Sequence, residues 1–239
     1  MTRSDRPAPP AHAAYRARSR ASRAARVAGL ALAVCAVWAP GAPLERAAHA
    51  TEPLDLSKFS GGRALKSNVV PPGKATRYGR AEILVTAPLE LVRREVTAYN
   101  RYRELAPDKF NRSRIIAKEN GQTDVYMQVP ILGGMLVLWQ VMRFGPVTPT
   151  GPGAERLEGS YVRGNLKTAN VIYTLTSVDA RRTILRMDLL VLPNMTAPQS
   201  VVDEELRDAT ATAVEGMRDR AERQAAPPAA VASSAPASR

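Results

Sequence analysis

Cysteine and histidine are almost missing from this sequence of 239 residues. The single cysteine is Cys35 and the two histidines are His12 and His49, so all three fall within the first 50 positions. If that stretch is removed, disulfides, Cys-His nucleophiles, Ser-His-Asp triads, His-ligated metals and zinc ribbons are excluded together. Aromatic residues are scarce too, at 5%. No internal repeat is present. Hydrophobic residues make up 45% and charged residues 23%, the composition of a globular protein and not of collagen, a coiled coil or a polytopic membrane protein.

The first fifty residues read as a leader. Residues 1–26 are rich in Arg, Ala, Ser and Pro, with Asp5 the only acid, and Val27–Trp38 form an apolar run. Pro40, Gly41 and Pro43 follow, and Ala48-His49-Ala50 precedes Thr51. A basic segment, a short apolar core and an A-x-A site describe a secretory signal peptide cleaved after Ala50. The core is shorter than the ~20 residues of a spanning helix. Two other readings exist. Leu32-Ala33-Val34-Cys35 approaches a lipobox, although Val34 is larger than that motif wants, and Arg-rich leaders also direct proteins to mitochondria. The segment carries eight Arg and two acids, so half of the chain's net +12 lies there. Six of the 34 basic residues are Lys, the usage of a GC-rich coding sequence. With no compact basic-aromatic motif, nucleic acid is not an expected partner.

Beyond the leader, residues 51–76 contain Gly61-Gly62 and Pro71-Pro72-Gly73 with little periodicity, and are expected to form an extended arm. Residues 225–239, almost wholly Ala, Pro and Ser, are expected to be a disordered tail. Residues 77–224 between them have the size of one domain. The alternation of Ala81, Ile83 and Val85 predicts a strand. Thr86-Ala87-Pro88 predicts a helix start capped by Thr86, with Leu89, Val92 and Val96 at helical spacing. A short helix around 100–105 stops before Pro107. Strands follow over 110–118, 123–129, 135–144, 156–163, 167–176 and 183–192, the first pair joined at Asn120-Gly121, a strong hairpin signal. A helix capped by Ser200 then runs to about Arg223, its apolar face built from Val202, Leu206, Ala209, Ala213, Met217 and Ala221. The fold class is α+β in the order β-α-α-β6-α.

That order resembles the START-like helix-grip (SRPBCC) superfamily, which includes polyketide cyclase-like and coenzyme Q-binding proteins. The resemblance covers about residues 78–223. It rests on the strand 81–85 running into Ala87-Pro88-Leu89-Glu90-Leu91-Val92, on Tyr99-Asn100-Arg101-Tyr102 with Pro107, on Ser113-Arg114-Ile115-Ile116, and on the long C-terminal helix. Many members carry Trp or Phe just after the Val92 position, where this chain has Arg93. The resemblance implies a curved antiparallel sheet wrapped around the last helix, with an apolar cavity between them.

Polar positions should mark the solvent face of each strand. Setting Glu82, Asp124, Gln128, Gln140, Glu158, Asn170, Arg186 and Asp188 outward turns Met127, Trp139, Tyr161, Tyr173 and Met187 inward, with Arg143 and Arg163 near strand ends. Those residues, with Ala213 and Met217 on the helix, are the candidate ligand-binding set. The Tyr hydroxyls and Arg side chains would orient a polar head at the cavity mouth. In this register Leu136, Leu138, Met142 and Phe144 would form an apolar strip facing outward, a candidate contact for a membrane or another protein unless the 51–76 arm covers it. No carboxylate falls inward, so catalytic residues, metals and cofactors are not expected. The expected protein is an exported, non-catalytic binder of a hydrophobic small molecule or lipid. The alternatives are a cyclase-like enzyme using an acidic or Tyr-based site, and an interaction module with a filled core. N-terminal sequencing of exported protein is expected to begin at Thr51; a lipid-bearing start at Cys35 would establish the lipoprotein reading instead.

Overall fold

The computed structural model describes residues 55–106, 110–131, 136–196 and 198–226. The expected leader, Pro107, the Gly133-Gly134 connection and the tail from 227 onward lie outside the described residues. Nine strands form one antiparallel sheet: β1 (Leu65–Val69), β2 (Tyr78–Val85), β3 (Arg112–Glu119), β4 (Gln122–Ile131), β5 (Leu136–Phe144), β6 (Thr148–Gly151), β7 (Ala154–Gly164), β8 (Leu166–Ser177) and β9 (Thr183–Pro193). Their order across the sheet is β1-β2-β9-β8-β7-β5-β4-β3, with the short β6 beside β7. Helices α1 (Leu89–Thr97) and α2 (Tyr102–Leu105) lie between β2 and β3, and α3 (Gln199–Ala225) closes the chain. The fold is α+β, a curved antiparallel sheet with a long C-terminal helix on one face.

Two of the strands are additions to the expected seven. Leu65–Val69, placed in the arm by the sequence, pairs with β2 as the edge strand, although its Leu-Lys-Ser-Asn-Val pattern has no clean alternation. Thr148–Gly151 adds β6 inside an expected loop. The Asn120-Gly121 turn is as expected: both residues have positive φ, 51° and 75°, which a two-residue hairpin of the primed type requires.

The caps differ from expectation. Pro88 and Pro198, not Thr86 and Ser200, occupy the cap positions of α1 and α3, with extended backbone and no side-chain cap bond. The first-turn amides of Val92 and Val202 donate to those prolines' carbonyls instead. Thr86 contributes its backbone N–H, which donates to Glu222 on α3 at 2.7 Å.

One strand reverses the sequence expectation. Directly opposed residues of an antiparallel pair share a face, and β4 opposes Val125 to Met142, Met127 to Gln140 and Val129 to Leu138. Leu138, Gln140, Met142 and Phe144 therefore point inward, and Trp139 and Arg143 outward. β5 is apolar at nearly every position, so its alternation carries little information, and the neutral Gln140 was a poor outward marker. Arg143 settles the parity: its guanidinium donates twice to Asp124, at 2.7 and 2.8 Å, on the outer face. A one-residue slip flips every side chain. The expected outward strip is thus an inward one; the Leu136 side chain itself lies outside the described residues.

Arg163 is also outward, for a different reason. β7 opposes Tyr161 to Met142 but Arg163 to Val141, leaving Val162 as a bulge residue. The extra residue breaks the alternation, so Tyr161 stays inward while Arg163 is exposed. Just beyond, β7 stops at Gly164 and Asn165 takes over. Its side chain accepts from the Trp139 N–H (2.8 Å) and donates to the Val137 carbonyl (3.0 Å), completing the edge of β5 in place of strand backbone.

Helix α3 packs on β2, β9 and β1. The approach is closest at Gly79, where a Cβ would stand 2.5 Å from the Leu206 backbone, and at Gly216, where it would stand 2.6 Å from the Leu105 carbonyl. Its buried face is broader than expected, adding Thr210, Ala211 and Val214 to Leu206, Ala213, Met217 and Ala221, because α1 and α2 also cover it. Gly79→Ala is expected to destabilise the protein by about 1–3 kcal/mol through overpacking. Gly61→Ala, with open space around it, is expected to stay within about 0.5 kcal/mol. Urea unfolding midpoints of the two variants check both values.

Candidate functional site

Between α3 and the inner face of the sheet lies a cavity of about 890 Å³. The volume is in the upper part of the ~300–1,000 Å³ range of small-molecule sites. The sheet supplies alternate residues to it: Met127 and Val129 from β4, Leu138, Gln140, Met142 and Phe144 from β5, Leu166, Val171 and Tyr173 from β8, Met187, Leu189 and Val191 from β9. Tyr102, Ala106 and Phe110 form one end. The helix presents Val202, Leu206, Ala209, Thr212 and Ala213. The space stays open because these helix positions include small side chains, while Gly79 seats α3 closely against β2 at the other side of the sheet.

The polar groups in the lining are few. Tyr102 Oη donates to the Val96 carbonyl at 2.6 Å, and Tyr173 Oη lies 3.4 Å from it. Thr212 Oγ1 donates to the Asp208 carbonyl at 2.9 Å. Asn111 and Glu205 are exposed and stand at the rim. Gln140 is buried, and its Oε1 has no partner among the described residues. No Lys or Arg belongs to the described lining. Desolvation pushes the Tyr102 phenol well above its ordinary value, and pushes Tyr173 up to about 12. Both phenols are therefore neutral across the physiological range.

Of the sequence-expected set, Met127, Tyr173, Met187 and Ala213 come together around this cavity. Met217 is buried one turn further along α3, in the packed core. Tyr161 faces the same side, but its hydroxyl donates to the Leu166 carbonyl at 3.1 Å. Trp139, Arg143 and Arg163 are corrected to the outer face, where the Trp139 ring lies 6.2 Å from Tyr126. Gln140, Leu138, Met142 and Phe144 were missed as lining residues. The sequence held one usable signal. A charge costs more to bury than an amide, so taking Arg143 as the outward marker of β5 gives the observed parity.

No protein-family model and no curated protein sequence matches the chain. Solved structures match it in fold. A STAR-related lipid transfer protein from Xanthomonas axonopodis aligns over 66% of this chain and 98% of its own, with a TM-score of 0.55 and 15% identity. A START superfamily protein from Mycobacterium smegmatis aligns over 61% and 97%, with a TM-score of 0.51 and 15% identity. The chain has a START-like helix-grip fold. Human StAR-related lipid transfer protein 5 aligns over 69% of the chain and 84% of its own, with a TM-score of 0.54 and 12% identity. Among the described residues of this helix-grip chain, no group of His, Cys, Asp and Glu could hold a metal ion. No described helix is long and apolar enough to cross a membrane.

The buried phenols give the fold a pH dependence. Tyr99, stacked on Phe144 at 4.4 Å, is raised by burial in the same way as Tyr102 and Tyr173. Below the ordinary value of 10.0 all three are protonated in both folded and unfolded chains. Above it the unfolded chain loses protons that the folded chain keeps, so stability is lost as pH rises through about 10 to 12. Tyrosinate absorbance and circular dichroism, followed together, are expected to show these three ionising only as the fold is lost. Their ionisation in a chain that keeps its circular dichroism would contradict the burial argument.

Proposed function

We propose that this protein binds a hydrophobic small molecule or lipid in the cavity between α3 and the sheet, without transforming it. The observation that carries the reading is the cavity itself, about 890 Å³ with a predominantly apolar lining. Magnitudes favour an apolar ligand. Each methylene moved from water into such a lining contributes about 0.8 kcal/mol, so ten supply roughly 8 kcal/mol, against about 1 kcal/mol for a neutral hydrogen bond. The tail sets affinity and the head sets choice.

Two further points support the reading. The described lining holds one carboxylate, Glu205, and it is exposed at the rim, so a buried general acid–base pair has no members there. Lipid transfer is the activity named for the Xanthomonas and human proteins of like fold. The site of action proposed is outside the cytoplasm, after removal of the leader at Ala50. Its support is the order of basic segment, apolar core and small-residue site in the sequence.

Ala213→Trp tests the cavity. The new indole would occupy space that a ligand needs while displacing little packed protein. The variant is expected to keep its unfolding midpoint and to lose uptake of Nile red, an apolar fluorescent dye. A wild-type protein that takes up no dye, together with a variant destabilised by about 1–3 kcal/mol through overpacking, would replace the binding reading with a filled interaction module.

A further inference from the structure

The outer face of the sheet is covered on one side only. Over β2, β9 and β8, the segment before β2 lies across it: Pro71 is buried, Lys74 donates to Glu158, and Tyr78 packs with Ile172 and Leu190. Over β3, β4, β5 and β7 no described segment covers it. The cross-strand register brings Arg112 and Arg114 of β3, Arg143 of β5 and Arg163 of β7 to this bare half, and all of them are exposed. The acids on these strands do not cancel them. Asp124 is bonded to Arg143, Glu158 to Lys74 and Arg156, and Glu119 stands at the far end of the hairpin. Arg112, Arg114 and Arg163 form no ion pair among the described residues.

Among these cations lie Trp139, in the row of Arg112 and Gln128, and Tyr126, in the row of Arg114 and Arg163. Both rings are half-buried, while the bulges of β3 and β7 leave Ile116 and Val162 41% and 42% exposed. Guanidinium groups suit phosphates, and amphipathic aromatic rings suit the headgroup level of a bilayer. Single-stranded nucleic acid would need open ring faces on which bases stack. Tyr126 offers little of that: the Arg114 guanidinium stands 5.4 Å over its ring, the Trp139 ring is 6.2 Å away, and Gln128 donates to its hydroxyl. The patch is also the back of the cavity wall, since Leu138 and Met142 of β5 line the cavity while Trp139 and Arg143 face out.

We propose that the outer face of β3, β4, β5 and β7 docks on an anionic lipid bilayer, with Arg112, Arg114 and Arg163 on its phosphates and Trp139 at headgroup level. Docking there sets the cavity wall against a membrane, yet it does not require a ligand in the cavity and stands or falls separately from that reading.

Trp139 reports the contact directly. The sequence has two tryptophans, Trp38 and Trp139, so Trp38→Phe leaves Trp139 as the sole indole. The full chain with that change is titrated with vesicles of phosphatidylcholine and phosphatidylglycerol. Trp139 emission is expected to shift to the blue and to lose quenching by acrylamide, and added salt is expected to reverse both. Vesicles of phosphatidylcholine alone are expected to leave the emission unchanged. Arg112→Gln combined with Arg163→Gln is expected to need about 25-fold more anionic lipid, a factor of about five per arginine, with melting temperature and Nile red uptake unchanged. The Arg-rich leader is common to both proteins, and attachment through it alone leaves Trp139 unshifted. An unshifted Trp139, an equal shift with phosphatidylcholine alone, or an equal response from the double variant overturns the proposal. A shift with polyglutamate or oligothymidylate but none with vesicles also overturns it, and assigns the patch to an acidic protein or a nucleic acid. Nile red uptake without vesicles tests the cavity reading whichever way these results fall.

Discussion

Helix α3 can rest on the backbone of β2 because residue 79 has no side chain, and much of the architecture follows from that seating. With Leu206 almost touching Gly79, the helix is pressed to the β1–β2–β9 side of a curved sheet. A straight rod laid against one side of a curved surface leaves a gap on the other. That gap is the cavity, and its far wall is β4, β5 and β8. The second close approach, Gly216 on Leu105, ties the same helix to α2, so the rod is located at two points along its length.

The third tie is electrostatic. Arg220 on α3 donates to Glu95 on α1 at 2.5 Å, with side-chain exposures of only 5% and 1%. Glu104, at 2.9 Å from Arg220, and Gln224, whose amide donates to Glu95, complete the cluster. Arg220 Nη2 still lacks a partner among the described residues. Such a buried pair adds little net stability against an apolar replacement, because both ions are desolvated, yet losing one partner strands the other. Its effect is orientation: α1 can meet α3 in one register without leaving a bare charge. On the outer face the ion pairs are cross-strand neighbours, Arg80 with Asp188, Arg186 with Glu82 and Arg143 with Asp124. They mark which side of the sheet is outward.

Those outer charges explain how much could be read in advance. Wherever a strand alternates charge with apolar side chains, as β2, β4 and β9 do, its faces were legible. Asn120-Gly121 located a turn because only that backbone geometry joins two strands so tightly. β5 was illegible from alternation, since Val137, Trp139 and Val141 are as apolar as Leu138, Met142 and Phe144. The Val162 bulge was illegible as well, because nothing in the local sequence announces an extra residue, and it cost the placement of Arg163. The cavity could be expected only through the family resemblance. Sequence patterns report faces, whereas an open volume depends on the distance between elements, here set by Gly79 and by the smallness of Ala209 and Ala213. Gln140 is polar and still faces inward, against the rule that polar positions mark the solvent face of a strand.

Asn165 has a mechanical meaning as well. Beyond Gln140 the hydrogen-bond ladder between β5 and β7 ends, and what fastens residues 137–139 on that side is the side chain and one amide of a single asparagine. The opposite edge of the same segment remains fully laddered to β4. Residues 137–139 are therefore held by a strand on one edge and by a single residue on the other. On that edge three hydrogen bonds to one side chain and one amide stand where a laddered seam would have strand pairing, so the local hold on this margin of the cavity wall rests on Asn165.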